Sequence, residues 1–373
     1  MKKSLPPFVR DSASSLPLHR QVEQWLRLQI EAGGFMPGDA LPPRKEFCKM
    51  LGGINHLTIR QGVNALIRDG LLFSIPGRGI FVAERKGKPL SVGVVLPSID
   101  DEFTHALVAS IQDVFAKLSE EGESLIRPVL FDSRRDAQQE IDSISHLMDL
   151  PLDGAIVFPV DHGDMLEKLV QLKVDNFPLV LVGWVPGIKF NSVTSDDYAG
   201  AFEATSYLLR QGRQRLAWIG NRKSVYSVAS RFEGFRDALS DHGVLYDRKL
   251  LGELVQVSPT MPIEDSLSDI LDHLLAQDPR PDAFVCVNDY FALACIKELA
   301  KRNIRVPEDI SIVGYDDIKA AANGKPSLTT VRNPMRELGE AAAELLVECI
   351  HDSTRDPEEI VLPVNLIVRD SAG

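Results

Sequence analysis

Between residues 91 and 373, short apolar runs alternate with stretches whose apolar positions recur at helical spacing. Runs at Ser91–Leu96, Ser124–Leu130, Gly154–Phe158 and Leu179–Val182 predict buried strands. The segments between them, up to Glu121, from Asp136, and up to Leu172, predict helices. A second series follows: helix Tyr198–Gln211, strand Leu216–Ile219, then helices Ser227–Asp241 and Glu264–Ala276. Next come strand Ala283–Val287, a helix capped by Asn288 and Asp289, and strand Ile310–Val313. Pro326–Val331 leads into a last long helix, Met335–His351. Such alternation predicts an α/β fold: a two-lobed, doubly wound parallel sheet protein over 91–373. One lobe is expected from about 91–194 with 326–352, the other from about 195–325 with 360–370.

Residues 16–83 carry a different pattern. Val22, Trp25, Leu26 and Ile30 mark one face of a helix spanning Leu18–Ala32, which Gly33-Gly34 ends. Leu41-Pro42-Pro43-Arg44 opens a second helix, broken at Gly52-Gly53. Asn55 caps a third, His56–Asp69, with Ile59, Val63, Leu66 and Ile67 inward. Leu71–Ile75 and Ile80–Val82 then predict a hairpin turning at Pro76-Gly77-Arg78-Gly79. Three helices and a hairpin make a winged helix-turn-helix. Residues 84–90, charged and containing Pro89, predict an exposed linker.

Charge sharpens this division. The chain has a net charge of -12, yet residues 1–90 hold 14 Lys/Arg against 7 Asp/Glu. A basic head on an acidic body predicts a nucleic-acid reader joined to a regulatory domain. At the amino end of the third helix, Asn55, His56, Thr58 and Arg60 are placed for base edges. Arg44 is placed for a phosphate or a guanine, and Arg78 between Gly77 and Gly79 for a minor groove. On residue type alone, Arg44 and Arg60 read better as solvated helix charges. The four cysteines lack metal or disulfide spacing, and no apolar run approaches a membrane span. A cytoplasmic, nucleoid-associated protein without metal or cofactor is therefore expected. No nucleophile elbow, phosphate loop or metal-ligand motif points to an enzyme.

Several motifs resemble known families. Pro17-Leu18, Pro37-Gly38, Leu41-Pro42, Thr58-Ile59-Arg60, Asp69-Gly70-Leu71-Leu72 and Gly77-Arg78-Gly79-Ile80-Phe81-Val82 resemble the GntR-family DNA-binding domain. Where that family often has Ser, Arg and Ser, this chain has Asn55, His56 and Pro43. The imidazole of His56 lacks the parallel donor fork with which an arginine makes a bidentate contact. In the body, Asn288-Asp289, Val306-Pro307-Glu308-Asp309-Ile310-Ser311 and Gly314-Tyr315-Asp316-Asp317 resemble the effector domain of the LacI family. Arg231-Phe232-Glu233-Gly234-Phe235 and Ile367-Val368-Arg369-Asp370-Ser371 extend that resemblance to the end of the chain. The combination is similar to the arabinose-repressor family.

The resemblance implies a homodimeric repressor that binds operator DNA and senses a small sugar between its lobes, meeting it through Arg231, Asn288, Asp289 and Asp316. Trp184 and Phe103 fall at strand tips, where rings cover a sugar face or pack the lobe interface; both readings stand. For Arg231 the alternative is an ion pair with an acidic loop residue. Asp161, His162 and Asp164 fit helix capping or, less readily, a metal. Asp196, Asp197 and Tyr198 read as a helix start. A purine nucleoside or phosphosugar effector, and co-repression in place of induction, are the alternatives.

Overall fold

The computed structural model describes residues 8–10, 16–68, 70–83, 87–120, 124–159, 163–185, 187–220, 226–253 and 263–373. The chain divides into two compact units, Met1–Leu90 with Phe115–Ile126, and Ser91–Val114 with Arg127–Gly373.

The first unit contains the winged helix-turn-helix. α1 (Leu18–Glu31) buries Val22, Leu26 and Ile30, one residue per turn along a single stripe. α2 (Arg44–Met50) is entered through Pro43, whose fixed backbone suits a helix start. It ends at Gly52 and Gly53, both in the left-handed region (φ 71° and 80°). α3 (His56–Arg68) buries Ile59, Val63 and Leu66. The same core takes Phe35, Phe47 and Leu51 from the helical part and Leu72 and Val82 from the hairpin. β1 (Leu72–Ile75) and β2 (Gly79–Val82) pair antiparallel in the register Leu72↔Val82 to Ile75↔Gly79, and Ala40 bridges to Phe81. Gly62 marks the tightest helix contact. A Cβ there would lie 2.8 Å from the His19 carbonyl oxygen and 3.2 Å from the Glu23 nitrogen.

The second unit holds most of two six-stranded sheets. In chain order the first series is β3 (Gly87–Leu96), α4 (Glu102–Glu120), β4 (Ser124–Asp132), α5 (Ala137–His146), β5 (Gly154–Val157), α6 (Gly163–Val174), β6 (Leu179–Val182) and β7 (Asn191–Ser195). The second series is α7 (Asp197–Arg210), β8 (Leu216–Ile219), α8 (Tyr226–Asp241), β9 (Leu251–Gly252), α9 (Ile263–Leu275), β10 (Ala283–Cys286), α10 (Asp289–Lys301) and β11 (Ser311–Asp316). α11 (Lys319–Asn323), β12 (Thr329–Arg332), α12 (Met335–His351), β13 (Glu359–Leu362) and β14 (Asn365–Ile367) complete it. The first sheet runs β13-β7-β6-β5-β3-β4 and the second β14-β12-β11-β10-β8-β9. β5, β6, β8 and β10 are buried at every position, as parallel strands covered on both faces must be.

Two segments belong elsewhere than the sequence reading placed them. β12 pairs in parallel with β11, so 329–332 joins the second sheet and not the first lobe. β13 pairs with β7, so 359–362 joins the first sheet and not the second. β13 starts more than 160 residues after β7 ends, β12 only 13 after β11 ends, and hydrophobic period carries no information about either pairing. The chain therefore passes between the sheets three times, at Ser195–Asp197, Arg332–Met335 and Leu362–Asn365. β7 itself, Asn-Ser-Val-Thr-Ser, contains no apolar run and went unread. Among the described residues no helix is long and apolar enough to cross a membrane.

Gly62→Ala is expected to force α1 and α3 apart and destabilise the head by about 1–3 kcal/mol. Calorimetry of the full chain would show this as a lowered head transition with the body transition unmoved.

Candidate functional site

The strands of both sheets end in polar or turn-forming residues on one side, where open α/β sheets bind ligands. A cavity of about 190 Å3 lies there. From the first sheet's side it is walled by Phe103 of α4, Phe158 after β5 and Trp184 after β6. From the second come Tyr226 and Arg231 of α8, Asn288 after β10, Asp316 at the tip of β11, and Asn333 after β12. Phe103 and Phe158 meet edge to face at 5.6 Å between centroids, and the Trp184 and Tyr226 rings touch, tilted by 42° with centroids 4.2 Å apart.

Arg231 is the charged centre, only 7 % exposed. Its Nε donates to Asp197 Oδ1 at 2.7 Å and its Nη1 to the Val287 carbonyl at 2.8 Å. Nη2 stands 3.6 Å from Asp316 Oδ1, and the guanidinium lies 3.6 Å from the centre of the Tyr315 ring. Burial works against the guanidinium's charge, but Asp197 and Asp316 outweigh it, and the pKa of Arg231 is raised. Asp316 is pushed up to about 6: burial raises it, and Arg231 and an Asn333 hydrogen bond hold it partly down.

Asp316 and Asp317 both have left-handed backbone, with φ of 107° and 55°. Non-glycine residues rarely adopt it, so neighbours must enforce it. Arg332 Nε and Arg369 Nη2 donate to the two oxygens of Asp317 at 2.7 and 2.6 Å. From beneath, Asp289 takes the Ile318 amide on Oδ2 at 2.9 Å and the Thr330 hydroxyl on Oδ1 at 2.5 Å. A Cβ on Gly314 would sit 2.2 Å from Asp289 Oδ1, so only glycine admits this carboxyl beside β11.

In the head, α3 presents its amino end to solvent. Asn55 Oδ1 accepts the Leu57 amide at 2.9 Å, the cap that the sequence predicted. His56, Arg60, Arg78 and Pro43 line a groove of about 560 Å3 between α2, α3 and the wing. Gly77 and Gly79 turn the wing with φ of 75° and 128°. Thr58 is half-buried beside them on α3.

Comparisons with known proteins follow the same division. Residues 18–82 match the model of bacterial regulatory proteins of the gntR family, and 205–372 that of the periplasmic binding protein-like domain. An arabinose metabolism transcriptional repressor of Geobacillus stearothermophilus is 29% identical over 367 residues, covering 96% of this chain and 98% of the relative. The chain carries a GntR-family DNA-binding head on a periplasmic-binding-protein-like body, and is a transcriptional regulator. The PurR repressor of Pasteurella multocida is 28% identical over 283 residues, 75% of this regulator and 80% of its own length. Among solved structures, a CelR–cellobiose complex is 26% identical with a TM-score of 0.65, covering 85% of this chain and 91% of its own. A LacI-family regulator from Enterococcus faecium with bound ribose is 27% identical with a TM-score of 0.63, covering 76% and 98%.

The structure brings Phe103, Trp184, Arg231, Asn288 and Asp316 of this regulator to one cavity. It does not bring Asp289. That residue is fully buried, both carboxylate oxygens are engaged inside the protein, and it supports the Asp316 loop from below. As the first residue of α10 its side chain turns away from the tip that Asn288, the cap, occupies. Arg44 opens α2, but its side chain lies outside what is described; so do Asp161, His162, the Asp164 side chain, and 84–86 of the linker.

Sequence reading missed Asp197, taken only as part of a helix start. Asp196 is that start, accepting the Ala199 amide at 3.0 Å, and Asp197 behind it pairs with Arg231. A buried arginine needs a countercharge, and this was the available signal. Asn333 and Tyr226 were also missed; neither sits in a motif.

Asp289 is pushed up to about 7 by its burial, against hydrogen bonds from Thr330 and Ile318. A carboxyl raised on folding stabilises most below its unfolded pKa, near 4, and loses that contribution as pH rises through 7. Asp289→Asn is neutral throughout. Its melting temperature relative to wild type should climb between pH 5 and pH 8 in calorimetry, and a constant difference would show that Asp289 does not titrate there.

Proposed function

We propose that this regulator represses carbohydrate-utilisation genes and that a small neutral sugar, arabinose or a similar monosaccharide, controls its grip on operator DNA. One observation carries the reading: the cavity combines the rings of Phe103, Phe158, Trp184 and Tyr226 with an arginine, two carboxylates and two amides at Arg231, Asp197, Asp316, Asn288 and Asn333. Rings cover the C–H face of a sugar, and polar groups bond its hydroxyls. Phe103 and Trp184 supply the rings, while Arg231, Asn288 and Asp316 meet the hydroxyls. The arabinose repressor relative, matched almost end to end, supports the same solute class.

A purine nucleoside is the second reading, favoured by the PurR relative and by the Trp184–Tyr226 ring pair, against whose open face a flat base would stack. A phosphosugar fits less well. Among the described lining residues both arginines are already paired, Arg231 with Asp197 and Arg135 with Asp101. A phosphate would have to break one of these pairs.

The operator is met by Arg44, Asn55, His56, Thr58 and Arg60 in the major groove, and by Gly77 and Arg78 at the minor groove. Two copies bind as a homodimer, because paired heads match the two-fold symmetry of an operator. The sugar closes the lobes and changes the spacing of the heads, releasing DNA; co-repression is the opposite sign of the same coupling. The protein works in the cytoplasm, at the nucleoid, and performs no chemistry on its effector.

Isothermal titration of the full chain with arabinose, ribose, galactose, cellobiose, a sugar phosphate and adenosine tests this. A neutral monosaccharide should bind, and Asp316→Asn should weaken it about tenfold or more through loss of a charged hydrogen bond. Binding of the phosphate or the nucleoside alone would overturn the sugar reading. Arg60→Ala should abolish tight duplex binding while leaving the sugar's affinity unchanged; an unaltered mobility shift would remove α3 from the DNA interface.

A further inference from the structure

The exposed face of α3 contains a side chain that its helix does not need. The buried stripe runs Ile59, Val63 and Leu66. On the opposite side, Leu57, Arg60, Gln61 and Asn64 follow one another at three- and four-residue spacing, and all four are exposed. Three of these are polar groups suited to base edges. The fourth is a leucine, 48 % exposed, at the amino end of the helix, the end that enters a major groove. A lone exposed leucine is ordinary on a protein surface. Here its position sets it apart, because it heads the face that carries Arg60.

Its backbone is fixed. The Leu57 amide is held by the Asn55 side chain at 2.9 Å, and the Thr58 amide by the Asn55 carbonyl at 3.0 Å. Leu57 therefore projects from a rigid first turn. Within a major groove, the one apolar feature on any base edge is the C5-methyl of thymine. A leucine facing any other edge would strip water from a donor or acceptor and return no hydrogen bond.

We propose that Leu57 is a specificity-determining residue that reads a thymine methyl in each operator half-site, next to the base read by Arg60. The proposal rests on the DNA-reading role of α3 given above and adds a base identity to it. It also gives a physical reading of His56 beside it. With no arginine at that position, the amino end of the helix places less demand on guanine and gains its discrimination from apolar contact.

Replacing thymine by deoxyuracil deletes the methyl and leaves every hydrogen-bonding group in place. The probe is the consensus duplex that the full chain enriches from a randomised pool, with selection run with and without a mixture of arabinose and ribose. Each thymine is then replaced singly by deoxyuracil. One position per half-site should lose about four-fold in affinity, the ratio that ~0.8 kcal/mol for one buried methyl corresponds to. Leu57→Ala should bind the thymine and uracil duplexes equally, and Leu57→Met should keep the preference. If the chain enriches a duplex but no single uracil weakens it more than two-fold, or if Leu57→Ala stays as sensitive as wild type, the assignment of Leu57 is overturned and the DNA-reading role stands. If no duplex is enriched under either condition, the DNA-reading role falls, and the leucine's with it.

Discussion

The body is organised by a buried charge cluster in which one guanidinium is held by two carboxylates. Arg231 binds Asp197, the first residue of α7 just after the chain leaves the first sheet, and faces Asp316 at the tip of β11. Asp316 in turn takes a hydrogen bond from Asn333 at 3.4 Å, and Asn333 lies in the second passage between the sheets. Two of the three crossovers are thus tied to one side chain. Breaking such a cluster by removing one partner typically costs 3–5 kcal/mol, because the other charges are left buried and unmatched. Its value to the protein is placement: the groups that bound the cavity on this side are the same groups that fix how the chain passes from one half to the other.

Around that cluster the supports are layered. Asp289, Thr330 and Gly314 carry the loop from below, and Arg332 and Arg369 grip Asp317 from the side. The strained turn at Asp316-Asp317 is held from several directions, which is what keeps non-glycine residues in the left-handed region. The head works by a simpler rule. Its helices are spaced by Gly62, its core closes over Leu26 and Leu66, and its polar side chains are left at the surface.

Much of this was legible in the sequence because the signals are local. Periodicity marked the helices within a residue or two, as with Met335–His351, and turn chemistry marked the wing. The strand-tip rule found Asn288 and Asp316 in the cavity wall, and motif position found Arg231. What escaped depends on partners outside the segment itself. Asp289 lies beside Asn288 yet points the opposite way, since one step along a helix turns a side chain by about 100°. Asn191–Ser195 is a strand because β6 and β13 flank it, with Ser192 and Ser195 tolerated inside the sheet. Nothing in Thr329–Arg332 says which sheet will accept it; that is settled by β11.

The division of the cavity wall has a further meaning. The first half supplies Phe103, Phe158 and Trp184 together with Asp101 and Arg135, and the second supplies Arg231, Asn288 and Asp316 together with Tyr226. A solute gripped by a single half gains nothing from bringing the halves together. Closure is rewarded by a molecule that reaches both halves at once, and part of its affinity goes into holding the shut form. A compound that reaches one half alone would occupy the cleft and leave it open.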